Sequence, residues 1–222
     1  MLFHFLGDSH ASIFSGSEVI VPIWPKRSID KIKNFRSYRL GSLTAYNLEN
    51  KKHIIDEILN SEVSKNNDVV VFCFGEIDTR AHILKQRDIQ LHRNVEDIIH
   101  ECAYRYWTTI HDYHLQGFKI GIWGVCGAWS KLKPYSGPSY GLMEERNSVI
   151  KLFNNFLETK AIETGTFVNG GIFYASIFDL IVSRNNVSDV TFFDKCGIHL
   201  SNKALPHIID KISQISQFKS DT

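Results

Sequence analysis

The chain has 222 residues, 43% of them hydrophobic and 22% charged, with a formal net charge of +1. That length and balance suit a single α/β domain with a sizeable core. They give no ground for a nucleic-acid or acidic-membrane partner, and no apolar run is long enough to cross a bilayer. The first apolar stretch, residues 2–6, is too short for a signal peptide and has no basic leader, so the expected compartment is the cytoplasm.

Taken in order, residues 2–6 read as a short apolar strand that runs into Gly7-Asp8-Ser9. Gly7 permits a close bend, and Asp8 and Ser9 are N-cap residues for a following helix. A serine at the carboxyl end of a strand and the foot of a helix has backbone N–H groups beside its hydroxyl, a suitable place for a nucleophile. The alternative is that Gly-Asp-Ser is only a strand-to-helix turn. Residues 19–23 suggest a short strand closed by Trp24-Pro25. Residues 26–36 are basic and polar, as a surface loop or short helix would be, and lack the interleaved aromatics of a base-stacking surface. Gly41 opens a loop.

Residues 51–59 place Ile54, Ile55, Ile58 and Leu59 on one helical face. Residues 69–74 form a nearly continuous apolar run, the pattern of a parallel strand covered on both faces, and lead into Gly75-Glu76-Ile77-Asp78. Residues 83–114 are mostly helical, 118–125 a further strand, and 131–141 a loop with Pro134, Pro138, Tyr135 and Tyr140 that is expected to frame a pocket. Residues 144–162 form an amphipathic helix with Val149, Leu152, Phe153, Phe156 and Leu157 on one side. Residues 166–168 suggest a last strand, and 202–215 a closing helix with Leu205, Ile208, Ile209 and Ile212 inward. This alternation predicts a three-layer α/β/α sandwich around a mostly parallel sheet, flavodoxin-like in outline, in one domain over 1–222.

The four cysteines, Cys73, Cys102, Cys126 and Cys196, show no zinc or C-x-x-C spacing. The first three sit in apolar patterns and read as small buried hydrophobes. His111 and His114 lack a third ligand nearby and read as a wet helix face. No metal and no organic cofactor is expected.

Chemistry-bearing residues come in three blocks: Gly7-Asp8-Ser9 early, a strand followed by Gly75-Glu76-Ile77-Asp78 in the middle, and Cys196-Gly197-Ile198-His199-Leu200-Ser201 late. In that order they resemble the SGNH (GDSL-type) hydrolase superfamily over nearly the whole chain. The resemblance implies an ester hydrolase or acyltransferase with Ser9 as nucleophile and His199 as base. A lone loop histidine is otherwise an ordinary surface residue. It also implies a backbone oxyanion donor at Gly41, whose bland alternative is a glycine that only makes a turn.

The sequence departs from the family pattern twice. The family carries Asp three residues before the histidine, where this chain has Cys196, with Asp194 two residues further back. Asp194 is the candidate orienting acid, and a Ser–His dyad oriented by a backbone carbonyl is the alternative. A thiol orients imidazole poorly, since S–H is a weak hydrogen-bond partner. Thiol chemistry at Cys196 itself is a further option. Ile77 stands where the family has an Asn that donates to the oxyanion, so another donor is needed, and Arg80 is the nearest cation. Asp8, Gly41, Glu76, Asp78 and Arg80 make up the candidate oxyanion and substrate-binding set. Glu76, Asp78 and Arg80 read equally as a polar floor for a sugar or as an internal salt bridge. The Gly-Glu-Ile-Asp variant resembles a subgroup tied to surface-glycan biosynthesis, which implies a small-molecule or glycan ester as partner. The rival reading is a catalytically decayed module that binds a glycan or a partner protein.

Overall fold

The computed structural model describes residues 1–17, 19–27, 29–129 and 138–217, the side chains of 216 and 217 excepted. Its centre is a five-stranded sheet of β1 (Phe3–Gly7), β2 (Phe35–Arg39), β3 (Val69–Cys73), β4 (Lys119–Trp123) and β5 (Phe173–Ala175). Every pairing is parallel and the order is β2-β1-β3-β4-β5. Helices α1 (Lys52–Glu62), α2 (Ile83–Ile89), α3 (Val95–Leu115), α4 (Met143–Glu163), α5 (Phe178–Ile181) and α6 (Leu205–Gln217) lie on both sides of it. The expected three-layer α/β architecture is therefore the observed one.

All five residues of β3 are buried, as its unbroken Val-Val-Val-Phe-Cys run requires of a central strand with helices on both faces. The β1 strand is equally buried, and its one polar residue is provided for. His4 Nδ1 lies 3.0 Å from the Tyr38 hydroxyl and Nε2 lies 3.4 Å from the Asp68 carboxylate. Burial pulls the His4 pKa below its ordinary value against the opposing pull of Asp68.

Chain order reverses at β1, which pairs with β2 on one side and β3 on the other. In open parallel sheets the crevice beyond the carboxyl ends of the strands at such a switch point is where ligands bind. Ser9 leaves β1 at that edge, Gly41 leaves β2, and Glu76 leaves β3. Gly7 sets the fit there. A β-carbon on Gly7 would lie 2.5 Å from the Cys73 carbonyl oxygen and 2.9 Å from the Ala11 β-carbon, so only glycine lets the ends of β1 and β3 close up.

A second tie comes from Asp78. Its carboxylate is fully buried and accepts hydrogen bonds from the backbone N–H of Ala45 at 2.7 Å and Tyr46 at 3.2 Å, with the Cys102 thiol at 3.4 Å. It thus anchors the loop that follows Gly41 to the segment that follows β3.

The structure differs from the sequence expectation at several elements. Residues 19–23 form no strand, although Ile23 makes an isolated bridge to Arg39. The neighbouring strand is instead β2, which begins in the last two residues of the stretch 26–36 that reads as a basic loop or short helix and runs on to Arg39. It is an edge strand, where Arg36 and Arg39 sit half-buried while Phe35, Ser37 and Tyr38 turn inward. The long helical stretch divides into α2 and α3, and the Asn94 side chain caps the second by accepting from Glu96 N–H at 3.0 Å. Residues 166–168 are not a strand. A 3-10 turn covers Phe167–Asn169, and β5 follows it. Leu152 and Ile209 face solvent, since they fall just outside the buried stripes of α4 and α6. Of the expected pocket-framing loop, residues 131–137 lie outside the described residues.

Gly7→Val is expected to lower stability by about 1–3 kcal/mol through overpacking, read as a drop of several degrees in Tm. Asp78→Ala leaves the buried Ala45 N–H and the part-buried Tyr46 N–H without their acceptor, and loss of a buried partner costs about 1–3 kcal/mol. Thermal melts should show that loss in full, whereas a purely substrate-binding Asp78 would leave Tm unchanged.

Candidate active site

Asp8 follows β1 and caps the 3-10 helix Ser9–Ser15, accepting from the His10 backbone N–H at 2.8 Å. This fixes Ser9 at the first position of the turn, at the open edge of the sheet. From the other end of the chain, Phe193 and Leu200 form an antiparallel bridge that closes a tight loop. Within it the Asp194 carboxylate accepts from the N–H of Cys196 at 2.9 Å and of Gly197 at 3.2 Å. Gly197 turns the chain with a left-handed φ of 80°, a conformation costly to other residues. His199 leaves that loop pointing at Ser9, and its Nε2 lies 2.8 Å from the Ser9 hydroxyl oxygen.

The other ring nitrogen, His199 Nδ1, lies 3.2 Å from Cys196 Sγ and 3.9 Å from Asp194 Oδ2. Asp194 is thus near the ring but beyond hydrogen-bond distance. The sulfur in the family's Asp slot is the atom in contact. Burial first, then the Asp194 carboxylate, push the Cys196 thiol up, which disfavours the thiolate that thiol chemistry needs.

Burial and the neighbouring His10 bring the His199 pKa down to about 4, against the upward pull of Asp194 and Asp8. His199 is therefore neutral near pH 7, with a lone pair free to accept a proton.

His10 stands out in the structure though nothing in the sequence pattern singles it out. Its Nδ1 lies 3.0 Å from Asp8 Oδ1 and 4.0 Å from Glu76 Oε2, and its Nε2 lies 3.1 Å from the Ile198 carbonyl oxygen. The His10 and His199 ring centres are 4.9 Å apart.

The remaining candidates divide. Glu76 lines the crevice, and Gly41 follows the end of β2 with φ 90°, buried, with the Ile23 side chain 3.9 Å from where a β-carbon would stand. Asp8 is completely buried and points at His10 rather than at open space. Asp78 is the loop anchor described above and does not reach the crevice. Arg80 does not replace the missing oxyanion donor. Its Nε donates to Glu76 Oε1 at 2.6 Å and its Nη1 to the Pro138 carbonyl, so it braces the segment before α4. Glu76 and Arg80 form the internal salt bridge that the sequence allowed, while Asp78 lies outside it.

Beside Ser9 a cavity of about 530 Å³ opens. The buried Ile13, Phe74, Trp123, Val125 and Phe193 make its apolar floor, and the more exposed lining is mixed, with Lys195, Ser201, Asn202 and Lys203 beside Val19 and Ile20. A cleft of this size with an apolar floor is of the kind that takes a small ligand. Among the described residues no helix is long and apolar enough to cross a membrane.

No protein-family model and no curated protein matches the sequence. Solved structures do match its fold. A GDSL-like lipase from Bacteroides thetaiotaomicron superposes with a TM-score of 0.59 at 14% identity, over 97% of this chain and 87% of that one. A Streptococcus pneumonia protein provisionally described as a platelet activating factor gives 0.60 at 13% identity, over 96% and 82%. Est24, a carbohydrate acetylesterase from Sinorhizobium meliloti, gives 0.54 at 13% identity, over 97% and 100%. The chain therefore has the fold of the SGNH (GDSL-type) hydrolases, the superfamily that its three blocks resemble.

Proposed function

We propose that the protein is a serine esterase or O-acyltransferase that acts on an acyl ester, with a carbohydrate as the alcohol. The observation that carries this reading is the 2.8 Å approach of His199 Nε2 to the Ser9 hydroxyl, across 190 positions of sequence, at the switch point of the sheet. A neutral imidazole in that position can take the hydroxyl proton as the serine attacks a carbonyl. Ser9 Oγ bonds to the carbonyl carbon and its proton passes to His199 Nε2. The ester C–O bond then breaks, and His199 returns the proton to the departing alcohol oxygen. Water, or a second hydroxyl in the transferase case, gives its proton to His199 and attacks the acyl carbon; the bond from that carbon to Ser9 Oγ then breaks, and His199 Nε2 returns the proton to Ser9 Oγ. The backbone N–H groups of Ser9 and Gly41 are the donors for the oxyanion.

Asp194 acts on His199 through its charge, since Cys196 Sγ occupies the contact position at Nδ1. The apolar floor of the cavity suits an acyl group. The polar residues of its more exposed lining, together with the carbohydrate acetylesterase among the structural neighbours, support the carbohydrate. The rival reading of a decayed glycan-binding module draws on Ile77, whose aliphatic side chain donates nothing where the family has Asn.

Ser9→Ala and His199→Ala are each expected to lower p-nitrophenyl acetate turnover by about a thousandfold or more while leaving Tm in place. A fluorophosphonate probe should label Ser9. Unchanged turnover in both variants removes the mechanism, and absent labelling combined with tight glycan binding favours the module. Because the base must be neutral, kcat/KM should hold level from pH 7 down and fall only as pH approaches about 4. Cys196→Asp restores a carboxylate to Nδ1 and is expected to raise kcat about tenfold, a fraction of the roughly ten-thousandfold effect of that group in serine proteases. Product analysis with a glycan acceptor separates hydrolysis from transfer.

A further inference from the structure

We infer that His10 is a positioning residue, a fixed imidazolium that clasps the nucleophile turn to the base loop and keeps His199 unprotonated at neutral pH. This rests on the Ser9–His199 reading and extends it to a residue outside that pair.

The geometry of His10 admits one protonation state. Each ring nitrogen faces an oxygen that can only accept, the Asp8 carboxylate at 3.0 Å and the Ile198 carbonyl at 3.1 Å. A neutral imidazole carries a proton on one nitrogen only, so either tautomer would turn a lone pair onto one of these oxygens. The doubly protonated ring satisfies both. Charge balance agrees. Asp8 is completely buried, and among the described residues His10 is its only ion-pair partner. An unpaired buried carboxylate is costly, and a cationic His10 removes that cost. Glu76 adds a second carboxylate 4.0 Å from Nδ1. Burial alone would lower the His10 pKa, but Asp8 and Glu76, with the Ile198 carbonyl, raise it to about 9.

Two consequences follow for the Ser9–His199 pair. Mechanically, Asp8 immediately precedes the nucleophile and Ile198 immediately precedes the base, so the two hydrogen bonds of one ring tie the two halves of the site together. Electrostatically, burial is the first cause that disfavours protonation of His199, and the His10 charge, on a ring whose centre is 4.9 Å away, adds to it. Other groups around His199 are Asp194 and Asp8, which favour protonation, Arg39, which opposes it, and the Cys196 sulfur at Nδ1. Of the two cations that oppose protonation of His199, His10 has the larger effect and Arg39 the smaller, and both ring nitrogens of His10 are already engaged. It therefore acts through charge and position and does not donate to the oxyanion.

The test is His10→Gln, which keeps a polar side chain of similar reach without the charge, followed by histidine-selective NMR titration and by the pH profile of kcat/KM. In the unmodified protein at pH 7.5 the His10 ring should show both nitrogens protonated, and His199 should show one. In the variant the His199 titration should move up by about one pH unit or more, the direction expected when a neighbouring positive charge is removed. The acid limb of kcat/KM should move with it, and kcat should fall with KM little changed. A neutral His10 at pH 7.5, or a His199 titration left in place, overturns the inference. If the variant proves too unstable to assay, the protonation state in the unmodified protein decides alone. Because the NMR readout needs no turnover, a protein inactive on every ester but with the shifted titration would sink the esterase reading and leave this one standing.

Discussion

Parallel pairing of β1 with β2 on one side and β3 on the other is the constraint on which the site depends. It brings the carboxyl ends of three strands to one edge of the sheet. The segments that leave those ends carry Ser9, Gly41 and Glu76. The pairing is tight because Gly7 has no β-carbon to hold β1 away from the Cys73 carbonyl. Asp78 then fastens the β2 exit loop to the β3 exit through two backbone N–H groups. Only the base comes from elsewhere, on a loop closed by the Phe193–Leu200 bridge. The 2.8 Å approach of His199 to Ser9 thus rests on a sheet edge meeting a small self-braced loop.

Much of this was legible in the residues. The all-apolar run at β3 signals a strand covered on both faces, the mainly apolar stretches at β1 and β4 signal further strands, and the helices α1, α3 and α4 show their stripes. Ser9 and His199 were legible because short blocks carry them in a recognisable order. The β2 strand was hidden because an edge strand needs only alternate burial, and Arg36 and Arg39 break up its apolar signal. The charged trio after β3 was half legible. Glu76 and Arg80 are four apart and meet on one helical face. Asp78 lies two positions on, so it projects to the opposite side and into the protein.

His10 shows where reading a chain position by position stops. Its partners Asp8 and Ile198 are 190 positions apart from each other, and no local pattern announces that one ring will bond to both. Cys196 is a different case. The sequence marks it as an oddity in an acid's place, and only the fold shows its sulfur against Nδ1 while Asp194 stands 3.9 Å away.

Pairing of charge inside the crevice also governs how a substrate arrives. Glu76 is paired with Arg80 and Asp8 with His10, and the cavity lining adds Asp194, Lys195 and Lys203, so charges of both signs stand beside Ser9 with no large excess of either. The chain as a whole carries a formal charge of +1. Such a molecule projects little long-range field to draw a charged compound inward. Encounter with a neutral ester is then governed by diffusion and fit, and ionic strength has little hold on its rate.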